Sequence, residues 1–350
     1  MLREKRALFK QISEKKLQKF LSLALSLLPV IKSPHPLKLL KTIKERSMTP
    51  EDWPVVPMEL VIRDAPYDSP DTLFQVKWDG VRCLAYAYPD GIRLYNRRLN
   101  ARAVQYPELI ECLSSLSPGT VLDGEIVSLG PDGKPSFPRV LRRDLARSVS
   151  KINVLKNTVH VHYMVFDLLW HAGEPVYGLP LVKRLELLRS VPLPSPVFLV
   201  DSIPGHGNAL FEAVKAEGLE GIVAKKADSL YRIGERSADW QKIKCLREMD
   251  RFIGGYVPKP DGMRCLLVGI WEDDRLLYIG RASSGPTQKE WSRLHARLQA
   301  IHGRCPFFTV PAAEKDAIWV EPMLPIRVRF LEYTKEGVMR APAIIKLPEV

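Results

Sequence analysis

The stretch KWDGVR, residues 77–82, follows an alternation of apolar residues, Leu73, Phe74, Val76 and Trp78, with the period of a short strand. Asp79-Gly80 is a strong two-residue turn signal, so Lys77 falls at the strand's end and Arg82 just beyond the turn. Alone, the segment reads as an ordinary hairpin with two solvated cations. The rest of the chain decides whether it is more than that.

With 350 residues, 46% hydrophobic and 26% charged, the chain can bury a good core and should hold about two domains. Its five cysteines lie apart without a CxxC pair, which argues against a zinc module or a disulfide framework and for a reducing cytosol. The net charge of +12 is uneven: residues 1–46 hold 12 Lys/Arg against 3 acids, or +9, leaving +3 for the remainder. In this arm Leu8, Phe9, Ile12, Leu17, Phe20, Leu21, Ala24, Leu25 and Leu28 recur at helical spacing up to Pro29. A signal peptide fits poorly, because Leu21–Val30 follows a long basic stretch and lacks a small-x-small cleavage site. No apolar run approaches the ~18 residues of a membrane span. Three readings of residues 1–47 stay open: a DNA- or surface-binding helix, a helix packed on the body, or an extension ahead of a natural start at Met48.

From Met48 the pattern is mixed. Strand-like LFQVKW, RCLAYAY, GIRLYN, VLDGEIVSL, VHYMVFDLLW, GIVAKKA and WQKIKC are interspersed with helix-like PELIECLSSL, PLVKRLELLRS and ALFEAVKAEG. Strands outnumber helices without strict alternation, which predicts an α+β fold with an antiparallel or mixed sheet. LREMD, Leu246–Asp250, reads as a linker. The last hundred residues or so, short strands with one helix in TQKEWSRLHARLQAI, suit a small five-stranded barrel of the OB type. The expected organisation is a basic extension at 1–47, a larger domain at 48–247 and an OB-fold domain at 248–350.

Four further stretches end an apolar run on charge: LDGE (122–125), FDLLW (166–170), EGIVAK (220–225) and WQKIK (240–244). Each alone has a bland reading as a turn, a core edge or a strand with one charged face. In this order and spacing, with KWDGVR, they resemble the covalent nucleotidyltransferase superfamily of ATP-dependent DNA ligases, RNA ligases and capping enzymes. The likeness runs from about Met58 to Pro342. It is strongest to bacterial ATP-dependent DNA ligases of the kind found as the ligase module of end-joining enzymes.

The resemblance implies a nucleotidyltransferase (ATP-grasp-like ligase) domain followed by the OB barrel, and a role for each motif. Lys77 is the implied nucleophile on the α-phosphate of ATP, forming lysyl-AMP. An amine attacks in its neutral form, which neighbouring cations and partial burial favour. Lys242 and Lys244, two apart on one strand, share a face and are implied at the α-phosphate. Arg82 and Arg97 would hold ribose and phosphates or the nick's 5′-phosphate, and Asp79-Gly80 would let the backbone pass close to the ligand. Glu125 and Glu220 would hold Mg2+ (or Mn2+), an ion that takes one or two carboxylates beside the substrate phosphates. Phe166 would stack on adenine, Glu125 would share work at the ribose, and Lys225 would complete the phosphate contacts.

Three steps are implied: self-adenylation, AMP transfer to a 5′-phosphate, and attack by the 3′-hydroxyl, with the OB domain closing for the first and gripping DNA for the others. Arg264, Arg281, Arg327 and Arg329 are the candidate contacts to duplex DNA. RVRFLEYTKEGVMRAP resembles the family's final motif, with Arg340 as its arginine. The chain then ends in IIKLPEV rather than a further arginine and Asp-Lys, with Lys346 as a possible substitute, and NRRL (96–99) keeps Arg97 but not the family's following glycine. The implied partner is nicked or broken duplex DNA, with a Ku-like end-binding protein as recruiter of a monomeric, cytoplasmic enzyme that meets no membrane. Two alternatives remain at this level: an RNA ligase or capping-type nucleotidyltransferase, and a catalytically impaired DNA-binding relative.

Overall fold

The computed structural model describes residues 52–260, 262–311, 314–334 and 336–348, so the basic arm at 1–47 lies outside the described residues. The chain divides into two compact units between Lys244 and Cys245.

The first unit carries strands β1 (Glu59–Ile62), β2 (Ser69–Val76), β3 (Val81–Tyr88), β4 (Gly91–Asn96), β5 (Val121–Val127), β6 (His162–His171), β7 (Glu174–Pro175), β8 (Val197–Leu199), β9 (Ile203–Gly205), β10 (Gly221–Lys226) and β11 (Arg236–Lys244). They form two mixed sheets: one in the order β1-β11-β10-β2-β9, the other β4-β3-β5-β6-β7 with β8 parallel to β6. Only β1–β11 and β6–β8 pair in parallel among these strands. KWDG is therefore not a hairpin: β2 pairs with β10 and β9, β3 pairs with β4 and β5, and Asp79-Gly80 carries the chain from one sheet to the other.

Gly80 is required there by space. A Cβ at this position would collide with the Ile126 carbonyl oxygen and sit 2.8 Å from Val127 Cγ1, so β5 passes against bare backbone.

The core gathers around the second sheet, where Tyr86, Leu94, Leu122, Tyr163, Leu168 and Trp170 are fully buried. Helix Leu181–Leu188 packs on β6, and helix Gly207–Ala216 on β10 and β2. Along β5 every residue is buried except Glu125, and along β6 every residue except Phe166 and the terminal His171. Glu125 and Phe166 are thus the places where two otherwise covered neighbouring strands are open. Helices Phe137–Asp144 and Val149–Thr158 were not foreseen from the sequence. The first is rich in arginine and buries Arg143, which donates to Val159 O and Gln105 O; the second holds three β-branched valine and isoleucine residues that weaken a helical reading.

The second unit is a sheet in the order β14 (Arg275–Ala282), β13 (Gly262–Glu272), β12 (Arg247–Lys259), β16 (Pro325–Phe330) and β17 (Ala343–Lys346), with β15 (Ile318–Trp319) pairing β12. Hydrogen bonds from Met339 N–H to Ile279 O and from Ile344 N–H to Ser284 O tie the last strand's segment to the first strand's, closing the sheet on itself as an OB fold. Helix Gln288–Gln299 starts at a Thr287–Glu290 capping box and buries Leu294 and Leu298 in this core.

LREMD does not form a linker. Residues 247–250 begin β12, and the charges that suggested a loop are cross-strand pairs to β16: Arg327–Asp250 at 2.9 Å and Arg329–Glu248 at 2.7 Å.

Candidate active site

The two sheets of the first unit bring the quoted motifs together. Lys77, just past β2, donates its backbone N–H to Gly221 O, which places it beside the start of β10. Glu220 immediately precedes β10, and the register Val223↔Lys242 and Gly221↔Lys244 sets both lysines of β11 on the neighbouring strand. Lys77 Nζ lies 2.6 Å from Glu220 Oε2, and Lys244 Nζ lies 3.2 Å from Glu220 Oε1, so one nearly buried carboxylate bridges two lysines. Lys242 makes no ion pair among the described residues. Its pKa is lowered by burial first and then by the charges of Lys244, Lys77 and Arg97, with Glu220 opposing.

The opposite sheet supplies Glu125, half-buried and without a hydrogen bond or ion pair among the described residues. Burial pushes its carboxyl up to about 8; Lys77 and Arg82 pull the other way, and Glu220 and Asp123 add to the rise. No group of three or more His, Cys, Asp or Glu side chains able to hold a metal occurs among the described residues. Two carboxylates close enough to feel each other, one of them unpartnered, nonetheless fit Mg2+, which completes its shell with substrate phosphate and water.

Arg82 does not point freely into this space. Its Nε and Nη2 hold Asp123 at 3.0 and 2.6 Å, its Nη1 donates to Met58 O at 2.6 Å, and Nη2 also reaches Tyr231 Oη at 3.2 Å. Tyr231 donates in turn to Asp123 Oδ2 at 2.6 Å and accepts from Met58 N–H. A second buried pair, Arg184 with both oxygens of Asp167, lies nearby and holds Leu179 O and Ser229 O. Asp123, Tyr231, Asp167 and Arg184 are structural partners the sequence reading did not single out. Asp123 could have been found, because it shares a strand face with Glu125 two residues on. Tyr231 meets it across 108 residues of sequence and had no local signal.

Phe166 is half-buried, with the Arg82 guanidinium carbon 5.5 Å and Lys225 Nζ 4.4 Å from its ring centre. Lys225 itself is buried, its Nζ 4.4 Å from the ring centre of Phe166 and 4.0 Å from that of Trp240. Arg97 is largely exposed and is held by Glu59, which also holds Arg236. Asp79 sits half-buried at the crossing between sheets.

The remaining predicted residues lie in the second unit. Arg340 pairs with Glu332 at 2.9 Å. Arg281 is held by the buried Glu314 at 2.8 Å, Arg327 and Arg329 are in the cross-strand pairs described above, and Arg264 is exposed on β13. Lys346 lies opposite Arg327 at the β16–β17 edge.

A family model described as the ATP dependent DNA ligase domain matches residues 60–244, and one described as the ATP dependent DNA ligase C terminal region matches residues 259–349. The chain is 30% identical over 308 residues to the multifunctional non-homologous end joining protein LigD of Mycolicibacterium smegmatis, covering 85% of this chain and 39% of that protein. It is 33% identical over 298 residues to the SPbeta prophage-derived DNA ligase-like protein LigB of Bacillus subtilis, covering 83% of this chain and 97% of that one. The chain thus spans well under half the length of the LigD relative. Among solved structures, a Lig E DNA ligase matches with a TM-score of 0.54 at 18% identity, covering 83% of this chain and 99% of that one, a likeness of fold.

Proposed function

The chain belongs to the family of ATP-dependent DNA ligases, and from that premise we propose that it seals breaks in duplex DNA through a lysyl-AMP formed on Lys77. The observation that carries this reading is the Lys77–Glu220–Lys244 bridge at the crossing between the two sheets. A reactive amine held at a fixed place by a carboxylate, with a second and third lysine beside it, is what an attack on an α-phosphate needs.

In this reading Lys242 and Lys244 take the α-phosphate of ATP, Lys244 leaving Glu220 as it does so. Lys77 Nζ then forms a bond to the α-phosphorus, the bond to the bridging oxygen breaks, and pyrophosphate leaves. Glu220 Oε2 is the nearest acceptor for the proton that Nζ sheds. Glu125 and Glu220 would hold Mg2+ or Mn2+, which supplies neutralisation of phosphate charge when bound. Phe166 stacks on the adenine. Arg82, fixed by Asp123, Tyr231 and Met58 O, would offer the nucleotide the one Nη1 N–H those contacts leave over, and Arg97 reaches a phosphate by exchanging Glu59 for it. Asp79-Gly80 shapes the bend against which the nucleotide lies, and Arg340 of the final motif serves the pyrophosphate in self-adenylation.

The domains in this reading are the adenylation domain at 48–247 and the OB-fold domain at 248–350, the latter carrying Arg264, Arg281, Arg327 and Arg329 toward DNA. A catalytic cluster complete within one chain supports action as a monomer. The likeness to proteins named for non-homologous end joining supports a repair role; action in the cytoplasm on the nucleoid, and recruitment by a Ku-like end-binding protein, are parts of this proposal. Sealing assays on a 5′-labelled nick test it: nicked duplex DNA with ATP should be joined, whereas joining only of nicked RNA, or only with GTP, would reject it.

A further inference from the structure

We propose that Lys225 is a positioning residue for the purine base, acting through the Phe166 ring, and not a phosphate contact; this rests on the reading that Phe166 stacks on adenine. Lys225 is 2% exposed and has no carboxylate in ion-pair contact among the described residues. Its Nζ lies 4.4 Å from the Phe166 ring centre and 4.0 Å from that of Trp240, and its one hydrogen bond is to the carbonyl oxygen of Phe166 itself, at 3.4 Å. The lysine thus touches both the ring and the backbone of the residue proposed to carry the base.

A buried lysine left with a single long hydrogen bond is costly to the fold. The groups facing it do not remove that cost. Asp167 and Asp123 favour its charge but are each engaged by an arginine, Arg184 and Arg82, and those arginines oppose it; burial carries the ammonium down to about 7. A group that weakens the fold and leans on one ring of a candidate site is a functional candidate. The nearest ligand-facing element is Phe166, where β6 loses its cover. The cation–π contact of Lys225, with Arg82 5.5 Å from the same ring centre, restrains the ring's orientation, and the base lies on what the ring offers.

The test is Lys225→Met, which keeps length and removes charge, followed by three readings. Thermal unfolding should be unchanged or shifted upward, because the buried amine is gone. The KM for ATP in self-adenylation should rise about tenfold, the loss falling mainly on KM. The KM for pyrophosphate in the reverse reaction, where lysyl-AMP is already seated, should stay within about twofold. A rise in the pyrophosphate KM equal to that for ATP would return Lys225 to the phosphates and overturn the proposal. So would a large drop in unfolding temperature with both KM values unmoved. If Lys225→Met does not fold, Lys225→Gln is compared in wild-type and Phe166→Leu backgrounds: an effect that survives the loss of the ring contradicts action through it, and one that vanishes supports it. Failure of the wild-type chain to acquire AMP at all is a different result, and it rejects the ligase reading rather than this one.

Discussion

Lys77 and Glu220, 143 residues apart, meet at 2.6 Å because Lys77 opens the four-residue crossing that hands the chain from one sheet to the other beside the start of β10. The same carboxylate takes Lys244 at 3.2 Å. Glu220 therefore sets the spacing of the two lysines on which the proposed chemistry depends. Glu220→Gln keeps the shape and loses the charge, and self-adenylation should fall by about 10²–10³-fold, the cost of losing one preorganised electrostatic partner. Single-turnover accumulation of the AMP adduct measures it.

Glu125 gives a pH dependence. With its carboxyl pushed up to about 8 by burial, the free protein holds Glu125 mostly neutral at pH 7. A cation needs the ionised form, so kcat/KM for self-adenylation should climb from pH 7 to pH 9, and the climb through 8 should disappear in Glu125→Gln. Stability runs the opposite way. Between the ordinary glutamate range and 8 the folded chain keeps a proton that the unfolded chain has lost, so this contribution fades as pH rises toward 8. Glu125→Gln should lack that decline in urea unfolding.

The buried and exposed arginine pairs should separate sharply. Asp123→Ala strands Arg82 beside Tyr231 in the interior and should cost about 3–5 kcal/mol. Glu59→Ala breaks pairs to Arg97 and Arg236 at the surface and should cost less than about 1 kcal/mol per pair. Chemical denaturation of both variants checks the difference, and equal costs would contradict the buried network.

Gly80→Ala tests the crossing between sheets. Its methyl would meet β5 backbone and Val127, and the crowding should cost about 1–3 kcal/mol and displace Lys77. Adenylation should fall further than stability alone explains.

Strands such as GIRLYN and RCLAYAY were legible in the sequence because their period is local, and so was the strand-end position of Lys77. The hairpin reading of Asp79-Gly80 failed because local turn chemistry is the same whether the next strand pairs with the last or joins another sheet. LREMD looked like a linker because its charges pair with Arg327 and Arg329 some 80 residues on, and the hold that Asp123 and Tyr231 take on Arg82, from 41 and 149 residues away, had no local signal either. Position along a strand could be read from the sequence; which charges neutralise one another could not. Lys225 shows the same limit, since the resemblance implied a place among the phosphate lysines and nothing local announced its burial against the Phe166 ring.

The most direct measurement is the intact mass of the purified protein after mixing with ATP and Mg2+, beside a Lys77→Ala control, followed by a chase with nicked duplex DNA. The expected result is a gain of one AMP that requires Lys77 and is lost as the nick is joined. An adduct that persists in Lys77→Ala, or no adduct together with no sealing of a pre-adenylated nick, would contradict it.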